Sequence, residues 1–453
     1  VIQYNETNFT FLKRLAKRYG QWFYSDGMRM QFGQLKQSKA RLINGITLHD
    51  FVIEADLNCH KVALGGYDYD TATNITSKLS NTASGSNDRL ATIVNNSQWG
   101  ICQPDLEVGA YTEHASNAGD IAEIAKLQAD GNNATGAFYK GTSQVPLGLG
   151  QKFTIRNQNT EYKLVVIKVT HNSPESRRYS CSFKAIPADV RAPHYTNVLA
   201  STKAKAQPAK VIANNDPEGM GRIQVAFNWG GNNHGTDSDV KSGWLRMIQP
   251  YAGAGKGFYW IPEIGEEVVV DFENGNVERP YVTGAHYNGK AKSDFADPDN
   301  SIKGWQTVSG QFLQFEEFKN IRLSDKKGNI IHIDSVDDAL NITSLNTINL
   351  TAQNININAS SNININAGAH MESTAGINMT QAAGAFFNQT AGKDYKVTAE
   401  NIGHKASEKY SADAAGEISR NAIEDIQSSS AENYINNSKG NLENRSGDRS
   451  LNA

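Results

Sequence analysis

Residues 348–368 read INLTAQNININASSNININAG, and the wider stretch 341–366 holds nine Asn interleaved with Ile and Leu. This is a repeat, and its period constrains the fold before any other feature does. Bulky apolar residues recur eight apart at Leu340 and Ile348, then at Ile355, Ile363, Met371, Met379, Phe387 and Tyr395, then at Ile402, Tyr410, Ile418, Ile426, Tyr434 and Leu442. Two seven-residue steps, 348 to 355 and 395 to 402, interrupt the count. In the first part each is followed two residues later by a second apolar residue: Ile342, Leu350, Ile357 and Ile365. Side chains at i and i+2 share one face of a strand, so each octad is predicted to be a short strand with an inward face, followed by a turn.

A coiled coil would show spacings of three and four, and the many Asn, Thr, Ser and β-branched residues disfavour helix. A β-helix remains, in one of two forms. One chain coils through three octads per turn, or three identical chains wind around each other with each octad stacking on those of the other two. The alternative is a disordered Asn-rich tail, which has no reason to keep an eight-residue register for about 100 residues.

Upstream, residues 205–290 read as a compact all-β module. Five strand-like runs, AKVIANN, GRIQVAFNW, GWLRMIQPY, EEVVVDFEN and PYVTGAHYN, are separated by turn signals such as DPEG and ENGN. Five short strands suit a small closed barrel of the OB type. Residues 1–200 are mixed: Phe9, Leu12, Leu15 and Tyr19 form an apolar helical stripe ended by Gly20, and Ile121, Ile124 and Leu127 form another before Gly131. LVVIKVT (164–170) and YSCSFKAI (179–186) are predicted to pair as a hairpin across HNSPESRR. The fold class is mainly β: a hub domain of β-barrels with short helices over 1–200, an OB-fold neck over 205–290, a connector over 291–334 and a β-helical needle over 335–453.

The 453 residues allow about three domains. Lys plus Arg is 44 against Asp plus Glu 47, a net charge of −3, which excludes a polycationic nucleic-acid binder. No apolar run approaches the ~18 to 20 residues that cross a bilayer, and the N-terminus shows no signal sequence, so export is expected to use another route. The chain begins at Val1 almost directly in a helical pattern, so an upstream portion is expected to be missing. Cys59, Cys102 and Cys181 are odd in number and lack metal-type spacing, which fits synthesis in a reducing compartment, the cytoplasm.

No catalytic constellation emerges. Gly253-Ala-Gly-Lys-Gly257 lacks the Ser or Thr a phosphate loop needs after Gly-Lys, and Phe258 stands where a dinucleotide fingerprint needs Gly. Cys59-His60 and His332-Ile-Asp334 lack further metal ligands, there is no GxSxG elbow, and the adjacent Glu316 and Glu317 face opposite sides of a strand. No catalytic residue, cofactor or metal is expected, and no nucleic acid, because the barrel strands carry no basic stripe.

The segments QYNETNFTFLKRLAKRYGQWFYSDG (3–27), YSCSFKAIPADV (179–190), DPEGMGRIQVAFNW (216–229) and GWLRMIQPYAGAGKGFYWIPEIGEEVVVDFENGNVERPYVTGAHYNG (243–289) resemble the VgrG spike proteins of type VI secretion systems, which are similar to the hub and needle of contractile phage tails. The resemblance implies a homotrimer with hub domains in a pseudo-sixfold ring, an OB-fold neck and a three-chain β-helix. It favours the intertwined form of the octad reading. The trimer core would be Ile355, Ile357, Ile363, Ile365, Met371, Met379, Phe387, Tyr395, Ile402, Tyr410, Ile418 and Ile426. A tip-docking platform would comprise Tyr434, Leu442 and Leu451. The implied partners are a PAAR-like tip protein, an Hcp-like inner-tube ring, baseplate proteins and effectors, with the target membrane crossed mechanically and the spike secreted without a signal peptide. The phage needle's lysozyme domain has no room in residues 291–334, and the N-terminal part of the family's hub is expected to be missing from this sequence. The alternative is a phage-type needle or fibre with cell-wall hydrolase or glycan-binding activity.

Overall fold

Strand Ala137–Ser143 alternates buried and half-buried residues along its whole length, as a strand with one face on a core does. It lies in a six-stranded sheet ordered Arg41–Ile43, Lys152–Asn157, Thr160–Asn172, Ser180–Pro187, Ala137–Ser143, Leu48–Ala55. All neighbours are antiparallel except the first pair. The computed structural model describes residues 1–55, 62–79, 88–97, 110–111, 117–175, 178–229 and 241–443. Two units result, Val1–Asn349 and Leu350–Ala453.

The expected hairpin is present, with Leu164 opposite Pro187, His171 opposite Cys181, and a bulge between Val166 and Lys168. Leu42, Leu48, Tyr139, Ile155, Leu164 and Phe183 build the core of this sheet. Cys181 is buried and unpaired; Cys59, His60 and Cys102 lie outside the described residues. A three-stranded sheet, Thr73–Leu79, Val62–Asp68 and Ala110–Tyr111, packs under helix Ala118–Asn133, with Ile121, Ala125 and Ala129 meeting Val62, Leu64 and Val198.

Two helical expectations need correction. The second helix runs through Gly131 to Asn133, because this glycine serves packing: a Cβ there would lie 2.5 Å from the Thr196 Cβ. The first helix, Asn8–Arg18, is ended as expected by Gly20 at φ +59°, with the Gln21 N–H donating to the Ala16 carbonyl. Its burial is inverted, however. Phe9, Leu12 and Tyr19 are exposed, whereas Arg14 and Ala16 are buried. Arg14 donates to the Glu6 carboxylate and the Ile2 carbonyl, and Arg18 donates to Glu278 at 2.7 Å. Two paired guanidinium groups fix the inward face, and the apolar stripe is left outward beside Met30 and Phe32.

Residues 207–285 form the small barrel. Four strands, Gln224–Phe227, Gln207–Ala213, Glu267–Phe272 and Pro280–Ala285, lie in that order. The third expected strand, 243–251, is not a strand but a closing seam: Leu245 bridges to Ile223 on one edge and Met247 to Val282 on the other. Pro250 and the turn at 252–257 cut its length. The DPEGMGR loop is held by Asp216, which accepts from Arg222 and from the Glu218, Met220 and Arg222 backbone N–H groups. The Arg222 guanidinium holds the Asp216 carboxyl well below the usual range.

His194 gives the hub a pH response. Burial pushes its pKa down to about 4, and Lys184 adds repulsion; its Nδ1 has no hydrogen-bond partner. The unfolded chain therefore takes the proton first. Stability is complete above about pH 6.5 and is lost as the pH falls towards 4, by on the order of 3 kcal/mol. Melting temperatures recorded across this interval should fall, and His194→Gln should flatten the decline. An equal decline in that variant would assign it to other groups.

Candidate functional site

The stretch 302–343 folds as an antiparallel five-stranded meander: Ile302–Gln306, Phe312–Glu316, Asn320–Ser324, Ile330–Asp334 and Ala339–Thr343. Directly opposed residues of antiparallel strands share a face. The register aligns Trp305, Leu313, Leu323, Ile331 and Ile342 in one row and Lys303, Phe315, Ile321, Ile333 and Leu340 in the next. One face is thus almost wholly apolar, and it is bare: Leu323 is 50% exposed, Ile331 43% and Ile342 56%. The opposite, mostly polar face is better covered, with Ser324 buried and Arg322 and His332 half-buried. Soluble chains normally arrange the reverse.

Beyond it, residues 350–443 are exposed and form neither helix nor strand, with backbone bends at regular intervals. Bends end at residues 346, 353, 361, 369, 377, 385, 393, 400, 408, 416, 424, 432 and 440. Each octad residue, from Ile348 to Leu442, follows two residues after a bend. Both seven-residue steps of the sequence recur as seven-residue steps between bends. Octad residues are about half to two-thirds exposed, as with Ile363 at 53%, while the off-register Ile377 and Ile423 stand at 92% and 104%. Among the described residues after 350, no strand pairing and no backbone hydrogen bond joins one octad to another. Tyr434 and Leu442 occupy octad positions; Leu451 lies outside the described residues.

Within the stretch expected as a connector (291–334), Trp305, Phe315, Ile321, Leu323, Ile331 and Ile333 share one face of this sheet, and none of them is among the site residues expected from the sequence. The signal was the same i, i+2 apolar pairing, at 313/315, 321/323, 331/333 and 340/342. Spacings of eight, ten and nine hid it from a search for a fixed period.

Other candidate chemistry resolves into structure. Ala252–Gly253 and Lys256–Gly257 form a small hairpin. Gly257, at φ +146°, would bring a Cβ within 2.9 Å of the Tyr251 carbonyl oxygen, and the Phe258 N–H donates to that oxygen. Its glycines serve a close turn. Glu316 and Glu317 point to separate cations, Lys319 and Lys303. Among the described residues no His, Cys, Asp and Glu cluster is placed to hold a metal, and no helix is long and apolar enough to cross a membrane.

Residues 1–175 match the family model described as phage tail baseplate hub, and residues 207–287 that of the type VI secretion system/phage-baseplate injector OB domain. The spike protein VgrG1a of Pseudomonas aeruginosa is 36% identical over 109 residues, 24% of this chain and 17% of that protein. VgrG3 of Vibrio cholerae is 28% identical over 172 residues, 36% of this chain and 16% of that protein. The matched stretches thus span about a sixth of these relatives. The solved E. coli c3393 protein, a type VI secretion component similar to phage T4 tail proteins gp27 and gp5, aligns over 63% of this chain and 62% of its own at 17% identity, with a TM-score of 0.37. The mainly β chain therefore carries a segment that matches the baseplate hub and one that matches the injector OB domain, and over part of its length it is similar to the VgrG spike proteins of type VI secretion systems.

Proposed function

We propose that this chain is one protomer of a trimeric, non-enzymatic spike of a contractile injection machine. Residues 335–453 of three copies would wind into a β-helical needle beyond the hub (1–200), OB neck (205–290) and connector (291–334). The observation that carries this reading is the register of bends and half-exposed apolar residues along 350–443. A stripe of apolar residues needs cover, and the backbone N–H and C=O groups that leave water with it then need partners. A single-chain coil of three octads per turn would supply both from the same chain, yet the octad residues remain exposed and, among the described residues, no backbone hydrogen bond joins one octad to another. Two further copies supply both at once. Equivalent octads would meet at the axis, with Ile355, Ile357, Ile363, Ile365, Met371, Met379, Phe387, Tyr395, Ile402, Tyr410, Ile418 and Ile426 inward. The bare apolar face of the five-stranded sheet supports the same association.

The needle would be driven by contraction through a target membrane, and the protein would leave its own cell with the machine. A stack of β-strands ends on an open edge, which is a template for pairing. The terminal repeats at Tyr434 and Leu442, with Leu451, would seat a PAAR-like tip protein. Hcp-like tube and baseplate proteins would contact the hub, and effectors would travel as cargo.

Light scattering should give three times the 49.5 kDa chain mass; a folded monomer would sink the proposal. Burying one Ile is worth ~1.5 to 3 kcal/mol and each layer holds three copies. Ile363→Asp brings three carboxylates together on an apolar axis, and should abolish assembly. A variant that assembles and melts like the parent would take Ile363 out of the core.

The thirteen octads from Ile348 to Leu442, at ~4.8 Å per stacked strand, give an intertwined needle of about 62 Å, against about 21 Å for a single-chain coil. Electron microscopy separates the two lengths. A chain ending before Tyr434 should still trimerise but lose the tip protein and support of secretion. Intact tip binding in that truncation would place the docking platform elsewhere.

A further inference from the structure

Position within the repeat sorts the polar side chains of the octad segment. The side chain two residues after each octad residue shares its face. Apolar at Leu350, Ile357 and Ile365, this second position holds Gln389, His404 and Arg420 further on. Contacts within the chain keep to the same face. The Tyr395 hydroxyl donates to Oε1 of Gln389, and the His404 ring stacks on Tyr410, with centroids 5.8 Å apart. Each of these joins the second position of one repeat to the octad residue of the next. The alternate positions pair among themselves: His370 Nε2 lies 3.9 Å from the Glu372 carboxylate, and the Asn421 amide donates to the Ser419 hydroxyl.

Residues 393–443 hold nine Asp or Glu, and none of them stands at an octad position or two residues after one. His404 and Arg420 do. Arg420 has a stem long enough to carry its guanidinium past the strand to water, whereas an imidazole is too short for that exit. In a trimeric needle three copies of His404 stand in one layer, equidistant from the three-fold axis. Val397 and Ala412 hold the equivalent place in the repeats before and after, so no carboxylate is there to accept a hydrogen bond. A buried imidazole nitrogen without a partner is costly. Three neutral imidazoles aimed at one point are the ligand set of a divalent transition metal with one coordination position open. The short Ala412 side chain leaves room there for a water molecule or a halide.

We propose that His404 of three copies binds one divalent transition-metal ion, of the zinc or cobalt class, on the needle axis. One chain brings one ligand, which is why no metal-holding cluster forms among its described residues. The site lies in the repeat entered by the second seven-residue step, 395 to 402, where the octad period alone does not carry the register across. An ion shared by three chains holds them level at that step. This rests on the trimeric-needle reading and adds a metal site to it.

The test uses the full chain, produced in cells supplied with Co(II), passed over a chelating resin to remove loosely held ions, and sized by light scattering. Elemental analysis of the trimer should give about one cobalt or zinc ion per three chains, and the cobalt form should show the visible d–d absorption of a tetrahedral site. His404→Leu keeps an apolar side chain on the axis and removes the ligand. It should lower the bound metal about tenfold and abolish that absorption. His370→Ala, on the outward face, should leave both at the parent value. If the Leu variant does not assemble, His404→Gln is read in the same way. A trimer without bound metal, or one that keeps its metal after His404 is replaced, overturns the site alone. A monomeric mass overturns the needle reading on which it rests.

Discussion

An apolar stripe repeated every eight residues needs cover, and backbone groups covered with it need hydrogen-bond partners in place of water. Along residues 350–442 the stripe is exposed in the single chain and, among the described residues, no backbone hydrogen bond joins one octad to another, with bends so regular that every octad residue emerges at the same phase. Each element upstream can be understood from its own core: the six-stranded sheet closes over Tyr139, Phe153 and Leu164, and the OB barrel over Val225, Val268 and Val282. The octads have no such core. In the proposed trimer their stability would come from the other chains, so that assembly and folding of the needle would be a single event.

Rigidity in the first unit follows from a few buried polar contacts. Arg18 and Glu278 are 260 residues apart in sequence and 2.7 Å apart in space, and Glu278 also accepts from the Ile2 N–H. Thr202 donates to the Tyr4 carbonyl, and Tyr4 meets Trp229 edge-on at 4.9 Å. These contacts bind the start of the chain, the first helix and the OB barrel into one body. Removing either partner of such a pair strands a charge away from water, which is why the arrangement holds its geometry.

The five-stranded meander shows how a short stretch can change role with context. Its apolar pairs follow the octad rule of inward residues at i and i+2, but its strands are joined by turns of different lengths and pair with their own sequence neighbours. Backbone hydrogen bonds are therefore satisfied within the chain, and only the apolar face remains to be covered. In the octads the turns are too regular and the strands too short to fold back, so both needs are left open. The same side-chain pattern thus yields a self-paired sheet before residue 343 and unpaired strands after 350.

By itself the sequence determined the octad register. Spacing of Ile, Met, Phe and Tyr every eight residues dictates where the backbone must bend, and both seven-residue steps reappear in the bends themselves. It also determined the OB barrel and the 164–186 hairpin, because alternation and turn residues act locally. Tertiary structure decided what depends on distant partners. The first helix turns its apolar stripe outward because Glu6 and Glu278 claim its arginines. Gly131 lies inside its helix because Thr196 presses on it. Residues 243–251 close a barrel as a seam rather than a strand because their two partners, Ile223 and Val282, sit on opposite edges of the sheet. No local propensity encodes such choices: each is set by a residue tens to hundreds of positions away that takes the space, the charge or the hydrogen bond first.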